Sequence, residues 1–184
     1  LHPRVRRQRQ MCIRDRFVLA GRSRVLRAGL QTFRDGGDFS IPELLISERD
    51  SAGRPVLIFQ GLDTLTLLDF LLYCYTDSIV DFWHHTRGSP MAFRYRQVRT
   101  ELMKVAAKLE LLKLEPAVRQ MIEPERCLHM DLEIATRDQN YFANGDIRVQ
   151  LSDGEVLVHG AMVCQRCPFF EGMFMGRAGG RWLE

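Results

Sequence analysis

Between Asp146 and Val158 the side chains alternate so regularly that a strand hairpin is the natural solution. Ile147, Val149 and Leu151 are apolar and Arg148 and Gln150 polar, the period of a strand with one buried face. Ser152-Asp153-Gly154 is a hairpin-type turn, and Val156 and Val158 fall on the returning strand. After His159 the texture becomes helical, from Ala161 to about Met175, with Gly176 as a stop. A small antiparallel sheet that feeds a helix points to an α+β chain.

Upstream, helical signals dominate. FVLAGRSRVLRAGL, residues 17–30, carries Val18, Val25, Leu26 and Leu30 and fits a short helix before the turn-rich DGGD at 35–38. Pro55 to Phe59 is rich in β-branched and aromatic residues and reads as a strand. In residues 61–79, Leu65, Leu68, Leu71, Leu72 and Tyr75 recur at helical spacing behind an N-cap at Asp63 or Thr64. Residues 80–96 mix aromatics with Gly-Ser-Pro and read as a loop insertion. Val98, Leu102, Val105, Leu109 and Leu112 mark a second helix, and Glu115 to Met121 a third, with Pro116 in its tolerated first turn. Residues 123–143 are polar, mixed in charge, and fit a linker.

Charge is concentrated rather than spread. The chain's 184 residues carry a formal +3, yet residues 1–16 hold six of the 26 basic residues and one of the 23 acidic ones. The remainder is slightly acidic, so the basic character belongs to the head, read as a disordered, solvated tail. The string MCIRDR at 11–16 also resembles a translated sequencing adapter, which would make residues 1–16 non-native. Such a head could bind nucleic acid by releasing counterions, but specific readout needs cations on a folded face, which disfavours that class. No apolar run approaches the roughly 18–20 residues that cross a bilayer, so no membrane partner is expected. Five cysteines, odd in number and scattered, suit free thiols in the reducing cytoplasm or nucleus better than a disulfide framework.

The order of residues in 146–174 resembles the opening of the BTB/POZ family. That pattern runs Asp-Ile/Val, a Ser-Asp-Gly turn, a histidine, then an aliphatic, an arginine and two aromatics. Here the slots hold Asp146-Ile147, Ser152-Asp153-Gly154, His159, Val163, Arg166 and Phe169-Phe170, with Cys167 where a serine is usual. The earlier region is similar to a second, worn copy. Arg22 and Ser23 lie in its Arg-Ser helix start, and residues 71–76, with Tyr75, match its Leu-x-Tyr-x-Tyr-Thr helix end. Glu101 to Met121 resembles its final helix pair, while Asp15 stands where the first histidine would be.

The resemblance implies a BTB/POZ-like helix cluster with a small β-sheet, plus the hairpin and first helix of a second copy. The expected boundaries are a head at 1–16, a truncated domain at 17–122 with the insertion at 80–96, a linker at 123–143, and a second opening at 144–184. The tandem arrangement resembles ankyrin/RCC1-repeat proteins of the inhibitor-of-Bruton-kinase type and similar fungal proteins. It implies self-association, protein partners, and service as a substrate adaptor for a cullin-type ubiquitin ligase. A hydrophobic-x-Glu element of such adaptors would fall on Trp182-Leu183-Glu184, which makes Met175, Trp182 and Glu184 candidate partner contacts. The second copy stops after its first helix, so a loosely packed fragment is expected.

Enzyme chemistry has thinner support. Cys164-Gln-Arg-Cys167 is a C-x-x-C pair without the second pair of a zinc site or a thioredoxin-like context, and reads as part of a helix face. His84-His85 lacks companion ligands. His159 reads as a junction residue, bonded to Asp146 or to a backbone carbonyl, because the sequence places no nucleophile and orienting acid beside it. A Cys/His hydrolase or redox fragment is the alternative of a different class. No cofactor, metal or small-molecule substrate is implied. Phe169, Phe170 and Phe174 are expected in the core, with Met175 and Trp182 open to a partner.

Overall fold

The computed structural model describes residues 8–12, 16–51, 53, 55–85 and 88–175. Its helices are α1 (Arg16–Arg22), α2 (Arg24–Arg34), α3 (Thr64–Thr76), α4 (Ala92–Lys108), α5 (Leu114–Gln120), α6 (Leu128–Thr136), α7 (Gln139–Ala143), α8 (Gly160–Arg166) and α9 (Pro168–Met175). The strands are β1 (Gln8–Cys12), β2 (Ser40–Ile41), β3 (Leu45–Arg49), β4 (Pro55–Gln60), β5 (Ile147–Gln150) and β6 (Glu155–Val158). The α+β class holds: a helix cluster with two small antiparallel sheets.

The larger sheet has the order β1-β4-β3-β2. Leu45 lies opposite Phe59 and Ile46 opposite Ile58, so β3 and β4 turn Leu45, Leu57 and Phe59 into the core. β1 closes the far edge, from Gln8 opposite Gln60 to Cys12 opposite Val56. Part of the expected disordered head is therefore a strand, because β4 offers its second edge of backbone donors and acceptors. Helices α3 and α4 pack together over this sheet, and Phe70, Tyr73, Leu102, Val105 and Leu109 meet there fully buried.

Several further expectations change. The helix of residues 17–30 breaks at Ser23, whose hydroxyl accepts from the Leu26 amide at 3.1 Å and caps α2. In α3 the N-cap is Asp63, as expected, but the buried face is Thr66, Leu67, Asp69, Phe70, Tyr73 and Cys74. Leu68 and Tyr75, on the expected face, are exposed. This helix is apolar nearly all round, so period alone could not choose its inner side; polar partners do. Thr66 donates to Glu101 at 2.7 Å, and Asp69 accepts from the Val80 amide at 2.7 Å.

The insertion at 80–96 shrinks, since a 3₁₀ turn occupies Phe82–His85 and α4 begins at Ala92. The linker at 123–143 is replaced by α6 and α7. Ala135 and Tyr141 are fully buried there, and the Tyr141 hydroxyl donates to the Phe17 carbonyl at 3.2 Å. The Leu132 side chain sits against Gly21, where an added Cβ would have to displace it, so α1 and α6 pack side by side. The hairpin expected at 146–158 forms, but its apolar side is not buried: Val149, Leu151 and Val156 are exposed. Ile147 pairs with Val158 and Gln150 with Glu155, but Cys167 splits the expected helix of 161–175 into α8 and α9.

Candidate functional site: a cleft over a buried arginine

Ending α1 at Arg22 aims a guanidinium inward, where it joins three helices. The side chain is fully buried, with Nη2 at 2.6 Å from Asp77 and Nη1 at 2.5 Å from Asp131. It also donates to the Tyr73 carbonyl at 3.1 Å and to Cys127 Sγ at 3.3 Å, and lies 4.2 Å from the Tyr73 ring centroid. Two carboxylates around one guanidinium repay the cost of removing it from water. Asp77 can serve because it ends α3 in the left-handed region at φ 59°. Its other oxygen accepts the amides of Cys127 and Leu128, at 3.1 and 2.9 Å, and so starts α6. Beside Arg22, the Ser23 hydroxyl donates to the Leu109 carbonyl at 2.7 Å and fixes the end of α4.

The chemistry of this hub is structural. Burial pushes both the Cys127 thiol and the Tyr73 phenol up, so each stays protonated as a hydrogen-bonding group. Burial likewise pushes Cys74, one turn away, up to about 12. A thiol held protonated is a poor nucleophile.

Above the hub opens a cleft of about 230 Å³, lined by residues that include Gly21, Arg22, Arg24, Leu112, Lys113 and Ile134. Two exposed apolar side chains stand on its rim, Leu112 at 80% and Ile134 at 53%, among charged groups that include Arg24, Glu110, Lys113 and Asp131. Nearby, Arg27 is tied down by Asp138 at 2.6 Å and by the Ala20 carbonyl at 2.8 Å. Arg24, by contrast, reaches solvent.

The structure brings together only some of the residues singled out from the sequence. Arg22 and Ser23 form the hub. Tyr75 lies on the outer side of α3, whereas Tyr73, two residues earlier, enters the hub. His159 is buried, and its Nε2 lies 2.9 Å from the Tyr141 carbonyl, so the backbone partner is the real one. Asp146 instead accepts the Gly160 amide at 2.6 Å and starts α8. Arg166 is exposed. Phe169 is 70% exposed and Phe170 half-buried, so Phe169 leaves the expected core; the two rings meet edge to face at 5.5 Å. Met175 ends α9, and Trp182 and Glu184 lie outside the described residues.

Cys164 is buried in α8 and Cys167 half-buried in the break that follows; both are free thiols, as are Cys74 and Cys127. His84 sits 3.0 Å from Asp81. Among the described residues there is no cluster of three or more groups suited to a metal ion, and no helix long and apolar enough to cross a membrane. Asp77, Cys127, Asp131, Asp138 and Tyr141 were missed. They sit in loops and in the supposed linker, up to 111 positions from their arginine partners, where no periodic signal marks them.

No family model matches the sequence, and no solved structure matches it. A curated relative does: BTB/POZ domain-containing protein 1 of Schizosaccharomyces pombe, 23% identical over 163 residues. The match covers 86% of this chain and 11% of that protein, so the chain spans a small part of its relative. Along most of its length, then, the chain is distantly similar to a protein named for its BTB/POZ domain.

Proposed function

We propose that the chain is a protein-interaction module of BTB/POZ type, binding other proteins rather than transforming a substrate. The observation that carries this is the pair of exposed apolar side chains on the rim of the Arg22 cleft. Leu112 and Ile134 stand exposed at the mouth of an opening too small for most substrates, beside the charged Arg24, Glu110, Lys113 and Asp131, and Met130 is exposed on the same helix as Ile134. The similarity to a BTB/POZ-named protein points the same way. Tandem copies gain support from a local correspondence. In α1 and again in α8 the first helix ends on an arginine, and one residue, Ser23 or Cys167, separates it from the next helix.

Self-association and recruitment of a cullin, with the protein as substrate adaptor, complete the proposal. The test is co-purification of a tagged chain with an untagged second copy and with a cullin, repeated with L112S and I134S. Both substitutions are at exposed positions and leave the core intact. The expected result is capture of at least one partner by the natural chain and weaker capture by the rim variants. Capture of neither partner refutes the adaptor role; capture insensitive to both variants removes the cleft from it.

A further inference from the structure

Residues 146–175, the hairpin with α8 and α9, meet the rest of the chain along a narrow, mostly apolar seam. Among the described residues, the contact between His159 Nε2 and the Tyr141 carbonyl is the hydrogen bond that crosses it. A carbonyl only accepts, so Nε2 holds the proton of the bond. The imidazole is packed among three rings: centroid distances are 4.8 Å to Tyr141, 6.1 Å to Phe17 and 6.2 Å to Phe142. Ala161 and Met162 rest on the core beside it. The chain enters the hairpin through Gly145, where a Cβ would meet the Val158 backbone nitrogen and oxygen at 2.7 Å. The seam is thus tied by one titratable ring, beside a small opening lined by Arg16, Asn144 and Asp146.

We infer that this seam is an acid-released latch: protonation of His159 detaches residues 146–175 from the face made by Phe17, Tyr141 and Phe142. A second proton on the ring would sit at Nδ1, charging an imidazole surrounded by aromatic carbon, and burial of an uncompensated cation is costly. The groups that face the ring do not offset this. Asp146, at the entry to β5, favours the cation, but it is exposed and already holds the Gly160 amide. Arg16, at the start of α1, opposes the cation. From α7 comes the Tyr141 phenol, which burial pushes up to about 12 and which therefore stays neutral. From α2 comes Arg27, 5.8 Å from the Tyr141 ring centroid and paired with Asp138. Helix α8 brings only Arg166, exposed to solvent.

The sign follows from the environment. Burial lowers His159 below its ordinary 6.5, against the opposing pull of the Tyr141 carbonyl and Asp146. A depressed histidine contributes docking strength that is fully present above 6.5 and is lost as pH falls through the folded value. The detached state would bare the three rings, so acid would both free the hairpin and open a new apolar face.

Two measurements on the whole chain test the latch. Hydrogen exchange, corrected for its intrinsic pH dependence, is followed on both sides of the ordinary histidine value. Protection across 146–175 is expected to fall severalfold on the acid side while α4 stays protected, and H159Q, which keeps an amide donor but cannot charge, is expected to lose this response. Proton NMR titration of the natural chain is expected to place His159 below the ordinary histidine value of 6.5. Unchanged protection, loss shared equally by α4, or a His159 that titrates at or above 6.5 would each overturn the latch.

Discussion

Asp69 is a carboxylate buried on α3 with one oxygen bonded to the Val80 amide and the other without a partner. Burial, helped by the nearby Asp81 charge and opposed by the Val80 amide, raises it to about 6. A carboxylate raised from 3.8 stabilises the fold fully below that value, and the contribution disappears as pH rises through about 6. At neutral pH the charge is therefore a burden. D69N keeps the acceptor for Val80 and removes the charge, so it should stabilise the chain by about 1–3 kcal/mol at neutral pH. Thermal melts across the acid range should also show a flatter profile for the variant. Arg22 behaves oppositely. R22M strands two carboxylates against an apolar side chain and should cost about 3–5 kcal/mol. A lowered urea midpoint at an unchanged slope is the expected readout. The hub illustrates what the sequence could show at this scale. Arg22 and Ser23 were visible in a short pattern, but Asp77, Cys127 and Asp131 were not, since long-range ion pairing has no local signature.

The elements most legible in the sequence were those whose inner and outer faces differ in chemistry. Of the expected stripe Val98, Leu102, Val105, Leu109 and Leu112, the first four are buried, while Leu112 lies past the end of α4 and is exposed. The hairpin was equally plain, because alternation leaves few other folds for it. Helix α3, apolar on both sides, hid which side faces inward. The supposed linker hid two helices because their buried surface is small, centred on Ala135 and Tyr141, and the rest is polar. Tyr141 gives the direct check at this scale. Y141F removes the bond to the Phe17 carbonyl and should cost about 0.5–1.5 kcal/mol. Y141A also empties a fully buried site and should cost about 3–5 kcal/mol. If residues 123–143 were a free linker, neither substitution would move the melting temperature.

At the scale of the molecule, a helix cluster is held by its arginine hub while a hairpin unit is fastened to it by one histidine. The Arg22 side chain is shut off from solvent, whereas the cleft rim at Leu112 and Ile134 and Val149, Leu151 and Val156 of the hairpin expose apolar surface. Exposed apolar groups on fixed elements favour association over catalysis. Sedimentation velocity of the chain, alone over a wide range of concentration and mixed with a purified cullin, is the most direct measurement. A protein-interaction module should sediment faster as its concentration rises, or with the cullin. A boundary that stays at the 21.3 kDa of one chain under every condition would contradict self-association and cullin binding together.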